Sequence, residues 1–150
     1  MSMELDTISF FDSHTRFQQK PSEGEVVDFL FEHLDQYGDP KEQIQLCMDY
    51  ALERENKAGG FILVAMVGDR IAGATIINKT GMQGYIPANI LVYIAVDSAY
   101  RGQGIGAKLM EQAIDHCEGG LALHVEPDNP ARRLYERMGF TNKYLEMRHV

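Results

Sequence analysis

The stretch from Asp97 to Met110, DSAYRGQGIGAKLM, constrains this chain more than any other. Three glycines stand at alternate positions, 102, 104 and 106, between an apolar run at 90–96 and a helical pattern. Glycine costs conformational entropy on folding, so it is used where the backbone takes a positive φ or is approached closely. A helix N-terminus presents unpaired N–H groups and a partial positive charge. The stretch therefore predicts a strand–turn–helix unit whose backbone amides hold a phosphate-like anion, with Arg101 adding a cation.

The pattern of the whole chain predicts one α/β domain over residues 1–150. Hydrophobic periodicity and capping signals predict helices at 23–35, from 39 to about 57, at 104–118 and at 129–139. The same reading predicts strands at 5–11, 61–67, 71–78, 90–96 and 121–126, and one or two short strands within 140–150. Helices alternating with strands in this order indicate a mixed sheet.

Composition narrows the class of protein. The chain has 14 basic and 22 acidic side chains and a formal charge of −8, which argues against a nucleic-acid partner. No apolar run reaches the roughly 20 residues of a membrane span, and the first residues lack a secretory signal pattern. We expect a cytoplasmic protein with no membrane partner. Cys47 and Cys117 lack ligand spacing, so we expect core thiols and no metal site.

A dinucleotide-binding turn is one interpretation of the glycines. Gly102, Gly104 and Ala107 match the pattern G-x-G-x-x-G/A, and Glu126 follows at the distance of a ribose-binding acid. In that fingerprint, however, the first glycine follows its strand almost directly, whereas five residues separate Val96 from Gly102. Too little chain follows to build a dinucleotide-binding sheet, so this interpretation is rejected.

A different resemblance is more specific. AVDSAYRGQGIGAKLM resembles the acyl-CoA-binding signature R/Q-x-x-G-x-G/A of the GNAT superfamily of N-acyltransferases, here Arg101, Gly104 and Gly106. The family's second segment is similar to NPARRLYERMGF at 129–140. The resemblance covers residues 61–149, and residues 1–60 only by the order of elements. It implies a mixed, mostly antiparallel central sheet with flanking helices, splayed between the strands at 90–96 and 121–126.

The resemblance also implies acetyl-CoA as co-substrate. The backbone N–H groups expected to bind its pyrophosphate are those of Arg101, Gly102, Gln103, Gly104, Ile105, Gly106 and Ala107. Its pantetheine arm is expected to pair with Ile94 and Val96 like an added strand. Asn129 has two compatible roles, as a helix cap and as a contact with the cofactor arm.

Acyl transfer to an amine needs a base, because a lysine-like amine has a pKa of about 10.4 and attacks only when neutral. By resemblance, Tyr135 is the general acid toward the departing thiolate, and we propose the amide of Val96 as the oxyanion donor. Glu126 is the first choice of base, since period-two alternation puts Ala122, His124 and Glu126 on one strand face. His124 is the second candidate and is equally compatible with a core histidine.

Several further residues keep two interpretations. Tyr93 is catalytic or part of the core, and Asp97 can cap the turn that follows its strand. Phe29, Phe31 and Tyr37 flank the break between the first two helices, which contacts the acceptor in the family. They line an acceptor pocket or, for the two phenylalanines, belong to the core.

The predicted function is an N-acetyltransferase that moves an acetyl group from acetyl-CoA to a primary amine in a ternary complex. The acceptor stays open between polyamine, aminoglycoside, amino acid, other small amine and protein N-terminus or lysine. A longer acyl donor also stays open. The alternative is a CoA-binding regulatory domain without turnover. Many relatives pair through sheet edges, so a homodimer is compatible with the resemblance.

Overall fold

The structure, a computed structural model, describes residues 7–150. The elements in chain order are β1 (Thr7–Phe11), α1 (Glu23–Leu34), α2 (Lys41–Ala51), β2 (Gly60–Val67), β3 (Arg70–Lys79), β4 (Asn89–Val96), α3 (Ile105–His116), β5 (Leu121–Leu123) and α4 (Arg132–Arg137). Short 3₁₀ turns lie at Asp35–Tyr37, Arg54–Asn56 and Ser98–Tyr100. Residues 5 and 6 of the predicted first strand lie outside the described part of the chain.

The sheet has the strand order β1-β2-β3-β4-β5. The first three pairs of neighbours are antiparallel, and β4 and β5 are parallel. The parallel pairing ends at Leu91 and Leu123, because β5 stops there while β4 continues to Val96. Beyond Leu91, the outer edge of β4 therefore has no strand beside it in residues 7–150. The predicted mixed, mostly antiparallel sheet that opens between these two strands is confirmed.

Helices cover both faces of the sheet and make two cores. On one face α1 packs against β4 and β3, and α2 packs against β3 and β2, through residues that include Phe29, Leu30, Ile44, Met48, Tyr93 and Ala95. On the other face α3 and α4 pack through Ile105, Leu109, Met110, Ala113 and Tyr135, with Ile94 and Val96 partly buried against them. Side chains of a strand alternate between faces, so β4 contributes to both cores.

The first two helices begin differently. Ser22 starts α1 with a capping box, in which Ser22 and Glu25 each accept the other's backbone N–H at 3.1 Å. Asp39 stands before Pro40 and three residues before Glu42, a sequence pattern that predicts a cap by Asp39 for α2, and this prediction is wrong. Pro40 holds the cap position without a side-chain bond, because the Asp39 carboxylate accepts a hydrogen bond from Tyr93 instead.

Three other boundaries correct the predictions. The strand predicted at 121–126 ends at Leu123, and a turn follows in which the Asn129 N–H donates to the Glu126 carbonyl at 2.9 Å. The helix predicted at 104–118 spans Ile105–His116, and Ile114 is exposed rather than on its inner face. Residues 141–150 form no strand and are exposed. Tyr144 and Leu145 are adjacent apolar residues, so this segment offers no single apolar face to a sheet.

Candidate active site

The turn between β4 and α3 is built by local backbone bonds. Asp97 Oδ1 accepts the Ala99 N–H at 2.9 Å, and its carbonyl accepts the Tyr100 N–H at 2.8 Å. Gly102 and Gly104 then take φ values of 81° and 80°, the left-handed region that favours glycine. A Cβ built on either glycine would meet no heavy atom within 4 Å. The space in front of this turn is therefore open, as an anion cradle requires.

Helix α3 starts inside this turn. Its first intrahelical bond runs from the Lys108 N–H to the Gly104 carbonyl at 3.0 Å. The N–H groups of Ile105, Gly106 and Ala107 precede that bond and have no carbonyl partner within the helix. Ile105 has a buried apolar side chain, so any anion contact by this residue would use its main-chain N–H. The predicted pyrophosphate ligands thus form one continuous backbone arc.

Gly106, the third glycine, is needed for a different physical reason, which is close packing. A Cβ on Gly106 would lie 3.1 Å from Leu134 Cδ2 and 3.7 Å from Val96 Cγ2. Glycine at this position lets the first turn of α3 approach both β4 and α4. It therefore brings the two sequence motifs together, because Tyr135 follows Leu134 on α4.

The open edge of β4 carries the predicted pantetheine contacts. Register shifts by one residue at Val92, so a β-bulge separates the part of β4 that pairs with β5 from the part beyond it. The Asp97 N–H donates to Ala72 of β3 at 2.9 Å. Donors alternate between the two edges of a strand, so the N–H groups of Ile94 and Val96 face the opening. Arg101 Nε donates to the Val96 carbonyl at 3.3 Å, which directs its guanidinium to this edge.

Tyr135 lies deep in the second core, with 7% of its surface exposed. Its ring meets Phe140 edge-on at 6.3 Å between centroids. Its hydroxyl forms no hydrogen bond within residues 7–150. Burial raises the pKa of Tyr135 to about 12, so the phenol keeps its proton at neutral pH. Such a hydroxyl is available as a proton donor, and its role as the general acid remains a prediction.

The predicted bases are placed otherwise than expected. Glu126 and His124 are both exposed and lie beyond the end of β5, so the strand face on which they were expected does not exist. Period-two alternation failed here because the chain leaves the sheet after Leu123. Asn129 Oδ1 accepts the Ala131 N–H at 2.9 Å and so closes the turn before α4, but the helix begins at Arg132 with Ala131 at its cap position, so the predicted helix-capping role of Asn129 is wrong. Its contact with a cofactor remains a prediction.

The connection between α1 and α2 is anchored on both sides of the sheet's opening. The Tyr37 hydroxyl donates to the Asp128 carbonyl, past β5, at 3.3 Å. The Tyr93 hydroxyl, on β4, donates to Asp39 Oδ2 at 2.5 Å. Burial and the Asp39 carboxylate raise the pKa of Tyr93. Phe29 belongs to the core, whereas Phe31 is exposed, so the core interpretation of Phe31 is wrong.

One polar cluster on the same face was not predicted from the sequence. His33 Nε2 lies 3.8 Å from Asp97 Oδ2, and an Arg70 guanidinium nitrogen lies 3.6 Å from the same oxygen. His33 also stacks on Phe29, with centroids 4.4 Å apart. A polar residue at the end of an apolar strand was the available signal, and it identified Asp97 alone. The other two residues come from α1 and β3, far from Asp97 in sequence.

A mixed sheet that opens beside a backbone anion cradle defines the GNAT acetyltransferase architecture. The family model described as "Acetyltransferase (GNAT) family" matches residues 23–140, which include both motifs. The chain therefore belongs to the GNAT acetyltransferase family. Its structure is similar to that of an aminoglycoside N-acetyltransferase in complex with CoA, with a TM-score of 0.67 and 15% identity. That alignment covers 98% of this chain and 94% of the other.

Two curated relatives carry the name N-alpha-acetyltransferase. N-alpha-acetyltransferase 30 of Schizosaccharomyces pombe is 34% identical over 85 residues, which is 53% of this chain and 57% of that protein. N-alpha-acetyltransferase 40 of Saccharomyces cerevisiae is 33% identical over 111 residues, which is 57% of this chain and 38% of that protein. The chain thus matches about half or less of the length of these relatives.

None of the helices within residues 7–150 has the length and apolar character that a membrane crossing requires. The same residues hold no group of three or more His, Cys, Asp or Glu side chains placed to bind a metal ion.

Proposed function

We propose that this protein is an N-acetyltransferase that moves an acetyl group from acetyl-CoA to a primary amine by direct attack in a ternary complex. One observation carries the proposal. Gly102 and Gly104 hold left-handed backbone in front of open space, at the start of α3 and beside the unpaired edge of β4. An anion-binding arc next to free strand N–H groups suits a ligand with a diphosphate and a peptide-like arm.

The donor is held by main-chain groups. The N–H groups from Arg101 to Ala107 bind the pyrophosphate, and the free edge of β4 at Ile94 and Val96 pairs with the pantetheine arm. Asn129 contacts the same arm while it closes the turn before α4. The thioester supplies an activated acyl group, so this chain needs no covalent nucleophile.

The chain's remaining roles concern protons and charge. The Val96 N–H faces the opening and stabilises the oxyanion that forms when the amine attacks the thioester carbonyl carbon. When the C–S bond breaks, the Tyr135 hydroxyl gives its proton to the thiolate. The phenol recovers a proton from the nitrogen of the new amide. We further propose that residues 1–150 act as one domain in the cytoplasm, without a metal.

For the acceptor, we propose the α-amino group of a peptide. Two curated relatives are named for transfer to an alpha-amino group, at 33–34% identity. The aminoglycoside enzyme supports the fold alone, because its identity is 15%. The formal charge of −8 also favours a cationic acceptor over an acidic one.

The test is release of free thiol from acetyl-CoA in the presence of matched amines. The panel contains short peptides with free N-termini, the same peptides with blocked N-termini and one free lysine, a polyamine and an aminoglycoside. We expect thiol release with the free N-termini and none with the blocked ones. Release with a different amine alone would correct the acceptor. Tight binding of CoA without release from any amine would support a regulatory CoA-binding domain instead.

A further inference from the structure

Near the position expected for the acyl group, the side chains of β4 alternate between the two faces of the sheet. Tyr93 and Ala95 point toward α1 and α2, whereas Ile94 and Val96 lie against α3 and α4. Alternation places Asp97 on the first of these faces, and its proximity to His33 of α1 agrees with this. The Asp97 carboxylate therefore stands one residue beyond the proposed oxyanion donor, on the side of the sheet opposite the anion cradle.

Asp97 is a fixed and largely buried carboxylate. Its side chain is 11% exposed, Oδ1 accepts the Ala99 N–H, and Oδ2 faces both Arg70 and His33. Arg70 in turn lies over the Tyr100 ring, 5.7 Å from its centroid. An anion held by an amide and a guanidinium is a stable partner for one more donor. In the described part of the chain, the imidazole of His33 is placed to be that additional donor, since its Nε2 lies 3.8 Å from Asp97 Oδ2.

His33 is held in place by its neighbours but remains partly accessible to solvent. It lies in the last turn of α1 with 17% of its side chain exposed, and the Phe29 ring packs against it. Nε2 faces Asp97, and Nδ1 forms no hydrogen bond within residues 7–150. The 3.8 Å separation from Asp97 is longer than a hydrogen bond, and catalytic contacts of this kind tighten when substrate binds. One nitrogen oriented by a carboxylate leaves the other as a proton acceptor.

We infer that His33 is the general base that takes a proton from the acceptor ammonium, and that Asp97 is the positioning residue for its imidazole. The inference rests on the proposed function. The ammonium loses one proton to His33 Nδ1, and the neutral nitrogen then forms the C–N bond by attack on the thioester carbonyl carbon; the C–S bond breaks when the resulting oxyanion collapses. The imidazolium is stabilised by Asp97 and later releases its proton to water. Neither Glu126 nor His124 has a comparable buried partner.

The main test compares His33→Gln with a matched histidine. His116 ends α3 as His33 lies at the end of α1, and it too stacks on an aromatic ring, that of Phe10 at 4.6 Å. It has no carboxylate within ion-pair distance among the described residues. At pH 7, H33Q should lower kcat about 100-fold, the lower range for loss of a general base. H116Q should leave kcat within about twofold, a bound set by the small effect of most surface changes.

The pH profile separates a base from a packing role. The charged groups near His33 are Glu32 on its own helix, Asp97 at the end of β4 and Arg70 on β3. The deficit of H33Q should shrink as pH rises toward that at which the acceptor loses its own proton. The dissociation constant of CoA should not change in H33Q. A deficit that is equal at all pH values would show a structural role and overturn the inference.

A second readout is independent of turnover. Long-range ¹H–¹⁵N spectra of the histidine rings should show the Nε2–H tautomer for His33, and D97N should remove that preference. D97N should also lower kcat about 10-fold, as a positioning partner does when its neighbour stays in place. An Nδ1–H tautomer in the wild-type protein would overturn the inference even where H33Q fails to fold.

The outcomes distinguish this inference from the proposed function. Thiol release by the wild-type protein with normal kcat in H33Q would leave the function standing and reject His33. Loss of the pH dependence in H124Q or E126Q instead would assign the base to the β5–α4 segment. No thiol release from any amine would reject the function, and the ring spectra would still decide whether His33 and Asp97 are paired.

Discussion

The two faces of β4 present different kinds of chemical group. Toward α3 and α4, the candidate site consists of main-chain N–H groups and the space that Gly102 and Gly104 leave open. Toward α1 and α2, it consists of charged and phenolic side chains that contact one another across the fold, Tyr93 with Asp39 and His33 with Asp97. The first face suits a ligand that is the same in every turnover. The second suits an acceptor that is specific to this protein.

This difference explains why one face was easier to recognise. A backbone cradle needs glycines and a helix start within a few residues, so it leaves a compact signature. A side-chain cluster needs only that the fold bring distant positions together, and no local spacing records it. If the two faces act separately, a substitution on one face should leave the binding of the other face's ligand unchanged.

The largest effect is expected on the donor face. Gly104→Glu places a carboxylate in the anion cradle and should weaken CoA binding at least 100-fold, because repulsion replaces attraction at a helix N-terminus. Isothermal titration with CoA measures this directly.

Gly81→Glu is a matched control. Gly81 has a φ of 79° against 80° for Gly104, and a Cβ there also meets nothing within 4 Å. Both variants carry the same backbone strain and the same added charge. If G81E loses CoA affinity as G104E does, the loss reports strain or net charge, and the cradle is not the site.

Tyr135→Phe should lower kcat about 10- to 100-fold while KM for acetyl-CoA stays within about threefold, as expected for loss of a general acid that acts only in the transition state. Tyr100→Phe is the control. Tyr100 is also buried and its hydroxyl also lacks a hydrogen-bond partner in the described residues. Equal rates in all three proteins would make Tyr135 a core residue.

The features that the sequence predicted are set by local patterns, and those that it did not predict are set by long-range contacts. The glycine turn, the order of strands and the opening beside β4 were predicted, because each depends on local periodicity or on a motif. The end of β5 at Leu123 was not, since no glycine, proline or turn residue marks it in the sequence and only the divergence from β4 ends the pairing. Asp39 shows the other failure. The residues around it predict a helix cap, but its carboxylate accepts a long-range hydrogen bond from the Tyr93 hydroxyl instead.

The link between Tyr93 and Asp39 should matter to the acceptor and not to the donor. Tyr93→Phe removes the bond that holds the α1–α2 connection to β4, so KM for the acceptor should rise about three- to tenfold, the equivalent of one ordinary hydrogen bond. The dissociation constant of CoA should stay within about twofold.

A double-mutant cycle sharpens this test. Asp39→Asn should raise acceptor KM less than Y93F, because the asparagine oxygen can still accept the Tyr93 hydroxyl, and the double variant should match Y93F. Tyr50→Phe is the control, since the Tyr50 hydroxyl joins α2 to the Lys79 carbonyl at 2.6 Å, away from the opening. Additive effects of Y93F and D39N would show that the two residues act on the acceptor separately.

The smallest effect concerns the buried phenol of Tyr135 at alkaline pH. Its pKa is about 12 in the fold against 10.0 for an ordinary tyrosine, because burial disfavours the phenolate. The folded state therefore keeps the proton after the unfolded chain has begun to lose it, so stability is full below pH 10 and declines between pH 10 and 12. At pH 10.5 linkage gives a loss of about 0.8 kcal/mol. Urea unfolding at pH 7 and 10.5 should therefore show a loss of stability that is larger by about this amount in the wild-type protein than in Y135F.

Cys47 and Cys117 also titrate in this range, because burial raises the pKa of their thiols to about 12 and about 11. Both are present in the wild type and in Y135F, so the difference between the two proteins isolates the phenol. A parallel pH dependence in the two proteins would mean that Tyr135 reaches water in the free enzyme. The donor face would then be less closed than the burial of its tyrosine indicates, and a water relay to the thiolate would replace direct proton transfer.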